Sequence, residues 1–134
     1  MQKKIDHLKI IFSNDKSERQ IYEEIIKFGH NTSVFPEEEK IKKNLINGCQ
    51  SLLYLTHRFE NGKIEFNIHS EALISKGLAN ILLYVYSGED PKHLFSLPPT
   101  FLNEMKIIEK ISMTRQIGIG NLFNTMRLFA SKYV

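Results

Sequence analysis

Asn61-Gly62 stands between two runs whose apolar residues recur at every second position, and this arrangement restricts the fold more tightly than any other stretch of the 134 residues. Leu53, Leu55, His57 and Phe59 alternate with Leu52, Tyr54, Thr56 and Arg58. After the dipeptide, Ile64, Phe66 and Ile68 alternate with Lys63, Glu65 and Asn67. A period of two places one set of side chains on a buried face and the other in solvent, which is the pattern of a strand. Asn-Gly suits the tight turn between two such strands, because both central residues need positive φ. The spacing predicts an antiparallel hairpin with Cys49 just ahead of its first strand.

Helical periods surround the hairpin. Ile5, Leu8, Ile11 and Phe12 recur at helical spacing near the start. Ser17 with Gln20 forms a capping box for a second helix carrying Ile21, Ile25 and Phe28, with Gly29 as its stop. From His30 to Asn44 the pattern breaks; Pro36 and Glu37-Glu38-Glu39-Lys40 read as a solvated connection or a short surface helix. Ser70 is placed to cap a third helix, apolar on nearly every side from Ala72 to Tyr86, and Gly88 closes it. Asp90-Pro91 and Pro98-Pro99-Thr100 each start a short helix. Ile119, Leu122, Phe123, Met126, Phe129 and Tyr133 make the stripe of a last one. The fold class is therefore α+β, a small antiparallel sheet flanked by helices, with room for a third strand that the pattern does not reveal. Residues 1–134 read as a single domain, since one chain of this length with 42% apolar residues builds one core.

The 18 basic and 15 acidic residues are interspersed and leave a net charge of +3, which is no nucleic-acid footprint. The longest apolar stretch, Gly77 to Tyr86, is too short to span a bilayer and is preceded by Lys76, so no membrane association is expected. One cysteine cannot close an internal disulfide, and no leader pattern opens the chain; both fit a reducing cytoplasm.

Cys49 is the only cysteine. A lone cysteine is either an inert buried hydrophobe or a reactive thiol. Asn47-Gly48 before it and Gln50-Ser51 after it place it in a polar, turn-rich junction, and Gly48 leaves space for another molecule's reactive atom to approach. A cysteine hydrolase needs a histidine base against the thiol. His7, His30, His57, His69 and His93 are available, yet the residues after Cys49 read as a strand and not as the helix on which papain-like enzymes carry the nucleophile. One cysteine cannot hold a metal or an iron–sulfur cluster with the usual ligand set, so neither a metal site nor a cofactor site is expected.

Asn47-Gly48-Cys49-Gln50-Ser51 with the strand after it, then Ser70-Glu71-Ala72, Lys76-Gly77-Leu78, Thr114-Arg115 and Gly118, resembles the SufE family of sulfur acceptors in residues, order and spacing. The resemblance runs from about the second helix to the last and is most specific around Cys49. It implies a helix-flanked antiparallel sheet of the SufE/NifU-like kind. It also implies that a SufS-type cysteine desulfurase, a pyridoxal phosphate enzyme, passes sulfur to Cys49 as a persulfide. Stimulation of that enzyme, onward delivery to an iron–sulfur scaffold complex and a homodimer are further implications. Gly48, Gln50, Ser51 and Arg115 would support the site, Arg115 by favouring a thiolate or persulfide electrostatically. Persulfide transfer needs only an accessible, ionisable thiol, and apolar neighbours such as Leu52 and Tyr54 would shield the sulfur between exposures. Lys76-Gly77 would let the third helix pack against the Cys49 loop. The chain departs from the family pattern at His69 and Glu71, where aspartates are usual, at Tyr54 in place of tryptophan, and at Ile117 in place of a polar residue. Two other classes of function stay open on the residues alone: a stand-alone cysteine-dependent enzyme and a non-catalytic interaction module.

Overall fold

A computed structural model of the chain describes residues 1–13, 15–30, 33–48, 51–105 and 107–134. Cys49 and Gln50, on which the sequence reading turns, lie outside the described residues.

The hairpin forms as its pattern requires. Strands β1 (Tyr54–Glu60) and β2 (Lys63–His69) pair antiparallel, with register running from Tyr54 opposite His69 to Glu60 opposite Lys63. Asn61 and Gly62 both take positive φ, 54° and 75°, the backbone of the expected tight turn. Leu55 and Ile68 are cross-strand partners on the buried face, as are His57 and Phe66, while Phe59, opposite the buried Ile64, is 39% exposed. Among the described residues the sheet has two strands, and the expected room for a third is taken by single bridges. Leu45 bridges to Tyr54 along β1, and Ile64 to Glu89 along β2. β1 also starts later than the alternation suggests, because Leu53 is spent on a loop-closing hydrogen bond to Ile46.

Six helices pack around the hairpin among the described residues: α1 (Gln2–Ile11), α2 (Glu18–Phe28), α3 (Leu73–Tyr86), α4 (His93–Ser96), α5 (Phe101–Glu104) and α6 (Met113–Ala130). The broken segment before Cys49 contains two short 3-10 turns, Glu37–Glu39 and Lys42–Asn44. At the start of α2, the Gln20 amide donates to Ser17 Oγ at 3.2 Å and the Ser17 amide to Gln20 Oε1 at 2.8 Å, completing the capping box.

Ser70 does not cap α3. The cap position falls on Ala72, and Ser70, buried, instead accepts from the Ala72 amide at 3.3 Å in the turn before the helix. The expected role of Gly77 also shifts. Among the described residues its backbone lies against Ile25 of α2; a Cβ there would stand 2.8 Å from Ile25 Cγ2. Gly29 continues this close approach, since a Cβ on it would stand 3.3 Å from the Gly77 amide nitrogen. Glycine at these positions brings α2 and α3 near backbone contact.

The core is one cluster, centred on α3. Ile81, Leu82 and Val85 are fully buried there, with Leu8 and Ile25 from the first two helices, Ile64 from β2, and Leu122 and Met126 from α6. Burial of each such side chain contributes about 1.5–3 kcal/mol. Tyr86 ends α3 inside this core, and its hydroxyl donates to the Leu97 carbonyl at 2.5 Å. Burial pushes its phenol well above the usual tyrosine range. Among the described residues no helix is long and apolar enough to cross a membrane.

Candidate functional site: the Cys49 loop

The chain enters and leaves the Cys49 loop at a closed base. The Ile46 amide donates to the Leu53 carbonyl at 2.9 Å, and Leu45 bridges to Tyr54 one step further out. Ile46 and Leu53 are both buried, so this base is rooted in the core, while Asn47, Gly48 and Leu52 beyond it are exposed.

On the entry side, Asn47 and Gly48 are exposed, and Gly48 has φ 78°. That conformation alone favours glycine. A second constraint coincides with it, because a Cβ at position 48 would collide with Asn121 Nδ2 and sit 3.4 Å from Ile117 Cγ2. Asn121 Nδ2 also donates to the Asn47 carbonyl at 2.7 Å, tying the loop to α6. Gly48 thus leaves room for a side chain of its own molecule, Asn121; the approach of another molecule to the neighbouring thiol, inferred from sequence, concerns Cys49 and lies outside the described residues.

On the exit side, Ser51 is half-buried and Leu52 is 64% exposed. They line an open groove of about 470 Å³, together with Tyr54, His69 and Glu71. Lys40 forms the far wall and pairs with Glu37, Nζ to Oε1, at 2.5 Å. That lysine holds the Glu37 carboxyl below the usual carboxylate range, with a smaller contribution from His69. Tyr54 is half-buried and packs in an aromatic trio. Its ring centroid lies 6.2 Å from that of Phe35 and 6.3 Å from that of His69, and Phe35 and His69 are 5.9 Å apart. Two departures from the family pattern, Tyr54 and His69, are therefore direct cross-strand partners that pack on each other.

Arg115 sits in the first turn of α6, where its amide donates to Ser112 Oγ at 3.3 Å. Two residues of helix turn it roughly 200° around the axis from Ile117. It therefore shares the stripe of the buried Ile119 and Leu122, whereas Ile117 and Asn121 meet Gly48. Its Nε is buried without a hydrogen-bond partner among the described residues. Glu71 is exposed just before the α3 cap, near the positive end of that helix.

Sequence reasoning missed Asn121 and Phe35. Each acts across a long chain separation, and the sole available hint was a polar residue one helical turn after Ile117 on the face of α6 that meets the loop.

Residues 6–130 match the model of SufE, the Fe-S metabolism associated domain. The chain belongs to the SufE family. Among its relatives, it is 29% identical over 114 residues to the cysteine desulfuration protein SufE of Plasmodium falciparum, covering 81% of this chain but 46% of that protein. It is 30% identical over 103 residues to the sulfur acceptor protein CsdE of Escherichia coli, covering 75% of this chain and 70% of that one. The chain thus spans less than half the length of the Plasmodium relative. The fold matches the solution structure of a hypothetical protein from Thermus thermophilus with a TM-score of 0.80, covering 97% of this chain and 95% of that one at 18% identity. The α+β architecture is accordingly that of a known fold.

Proposed function

We propose that this SufE-family chain accepts sulfur as a persulfide on Cys49 from a cysteine desulfurase and passes it on for iron–sulfur cluster assembly. The observation that carries this reading is the family match over residues 6–130, which encloses the chain's single cysteine. The described surroundings support it: an exposed glycine on one side, an open groove on the other, and a base anchored in the core.

The chemistry is thiol exchange. Cys49 thiolate attacks the terminal sulfur of the donor's persulfide, a sulfur–sulfur bond forms on Cys49, and the donor leaves as a thiolate. The electrons balance without an oxidant or a cofactor. The chain acts as a carrier and activator in this reading, with a SufS-type pyridoxal phosphate enzyme as donor and a scaffold complex as recipient. Gly48, Gln50, Ser51 and Arg115 are the proposed supporting residues. The proposed setting is the cytoplasm and the proposed assembly a homodimer.

Desulfurase turnover measured with and without the chain tests the reading. Wild type is expected to raise turnover, and Cys49→Ser, which exchanges one sulfur for oxygen, is expected to raise it no further than an inert protein does. Equal stimulation by both proteins overturns the proposal.

A further inference from the structure

Two independent features of the loop's entry side converge on one side chain of α6. Asn121 Nδ2 donates to the Asn47 carbonyl at 2.7 Å, across 74 residues of sequence, and the same amide fills the space that a Cβ on Gly48 would need. Ile117, one turn earlier on α6, closes the rest of that space. The anchor point is rigid. Leu122 and Met126, which follow it on α6, are fully buried, and Thr125 Oγ1 donates back to the Asn121 carbonyl at 2.8 Å. The other end of the loop is fixed at Ile46 and Leu53. A donor held on a regular helix is placed more exactly than one resting on loop contacts alone.

We infer that Asn121 is a positioning residue for sulfur acceptance, holding the Asn47–Gly48 peptide in the orientation from which Cys49 meets a protein-borne persulfide. This rests on the sulfur-acceptor reading above. Attack on a sulfur–sulfur bond requires the incoming thiolate in line with the bond that breaks, so a small error in placement costs rate when the donor is itself fixed in a protein. A small electrophile has no such demand, since it reaches the thiol from any open direction. Losing the anchor therefore separates two reactions of one thiol.

The test compares full-length wild type with Asn121→Asp, which keeps the shape, cannot donate and repels the Asn47 carbonyl, and with Asn121→Gln, which keeps a donor amide. The chain concentration for half-maximal stimulation of a desulfurase from the same source is expected to rise about fivefold in the Asp variant, the size of one lost hydrogen bond. The Gln variant recovers part of that loss. Iodoacetamide alkylation of Cys49 is expected to stay within about a factor of two of wild type or to quicken, with the melting temperature nearly unchanged. A purely structural role gives the opposite signature, a lower melting temperature with no recovery by Gln, and overturns the inference. Equal half-maximal concentrations in wild type and Asp, with wild type active, overturn the anchor alone. No stimulation and no sulfur uptake by wild type overturn both the anchor and the acceptor reading.

Discussion

Gly77 and Ile25 meet backbone to backbone: a Cβ on the glycine would stand 2.7 Å from the Ile25 carbonyl carbon and closer still to its oxygen. No rotamer change relieves that collision, because the obstructing atoms belong to the main chain of α2. Gly77→Ala is therefore expected to force α2 and α3 apart. Alanine's better helix propensity returns about 1 kcal/mol, whereas overpacking of this kind costs about 1–3 kcal/mol or more even when side chains can move. The net change is destabilising, and the melting temperature should fall by roughly 5–10 °C. A thermal scan of the variant checks it, and an unchanged or higher midpoint would show that the helices have slack at this contact.

The hairpin and the helix count were legible because they depend on neighbours in sequence. Asn61-Gly62 needs only its own two φ angles, and the Ser17–Gln20 box closes within three residues. The misplaced features depend on distant partners. Ser70 looks like a cap until its burial is known, and Gly77 looks like a helix glycine beside any neighbour until α2 is docked. Tyr22, whose hydroxyl donates to the Lys110 carbonyl 88 residues away, carried no local signal. In the candidate site, Gly48 was readable as a glycine with a purpose. Its contact with Asn121 was not, because that side chain arrives from α6, where it also bonds the Asn47 carbonyl across 74 residues. Cysteine usage and the block around position 49 single out one candidate residue; the arrangement of its described neighbours had to come from three dimensions.

His57 gives the stability a pH dependence of known sign. Its ring stacks on Phe129 with centroids 4.2 Å apart, and its Nε2 is 2.9 Å from the Tyr133 hydroxyl, which joins the C-terminal end of the chain to β1. Partial burial, aided by the charge of Lys132, holds its imidazole below the usual histidine range. The unfolded chain, with an ordinary histidine near 6.5, thus binds the proton more readily than the folded one. This contribution is present in full above that value and is lost as pH falls from it toward the depressed folded value. Thermal midpoints between neutral and mildly acidic pH should decline for wild type and decline less for His57→Phe, which keeps the stack without the charge. Parallel curves for the two proteins would contradict the assignment.

Arg115 separates a structural from a functional contribution. Its side chain lies on the buried stripe of α6, and its Nε has no hydrogen-bond partner among the described residues, so truncation removes no hydrogen bond at that atom. Arg115→Ala should shift the melting temperature by only a few degrees, in line with about 1 kcal/mol, while lowering sulfur uptake from the desulfurase several-fold if its charge supports the acceptor thiolate. Normal uptake per folded molecule, with a large loss of stability, would assign the residue to the fold instead.

The intact mass of the chain after incubation with a cysteine desulfurase and free cysteine tests most directly whether Cys49 carries sulfur. A population heavier by one sulfur atom is expected, because persulfide transfer leaves the acceptor covalently modified. Reducing agent should remove it by cleaving the sulfur–sulfur bond, and prior alkylation with iodoacetamide should prevent it by blocking the thiolate. Cys49→Ser should stay at its unmodified mass throughout. An unmodified wild-type mass, with a desulfurase from the same source shown to be turning over, would contradict the sulfur-carrier account.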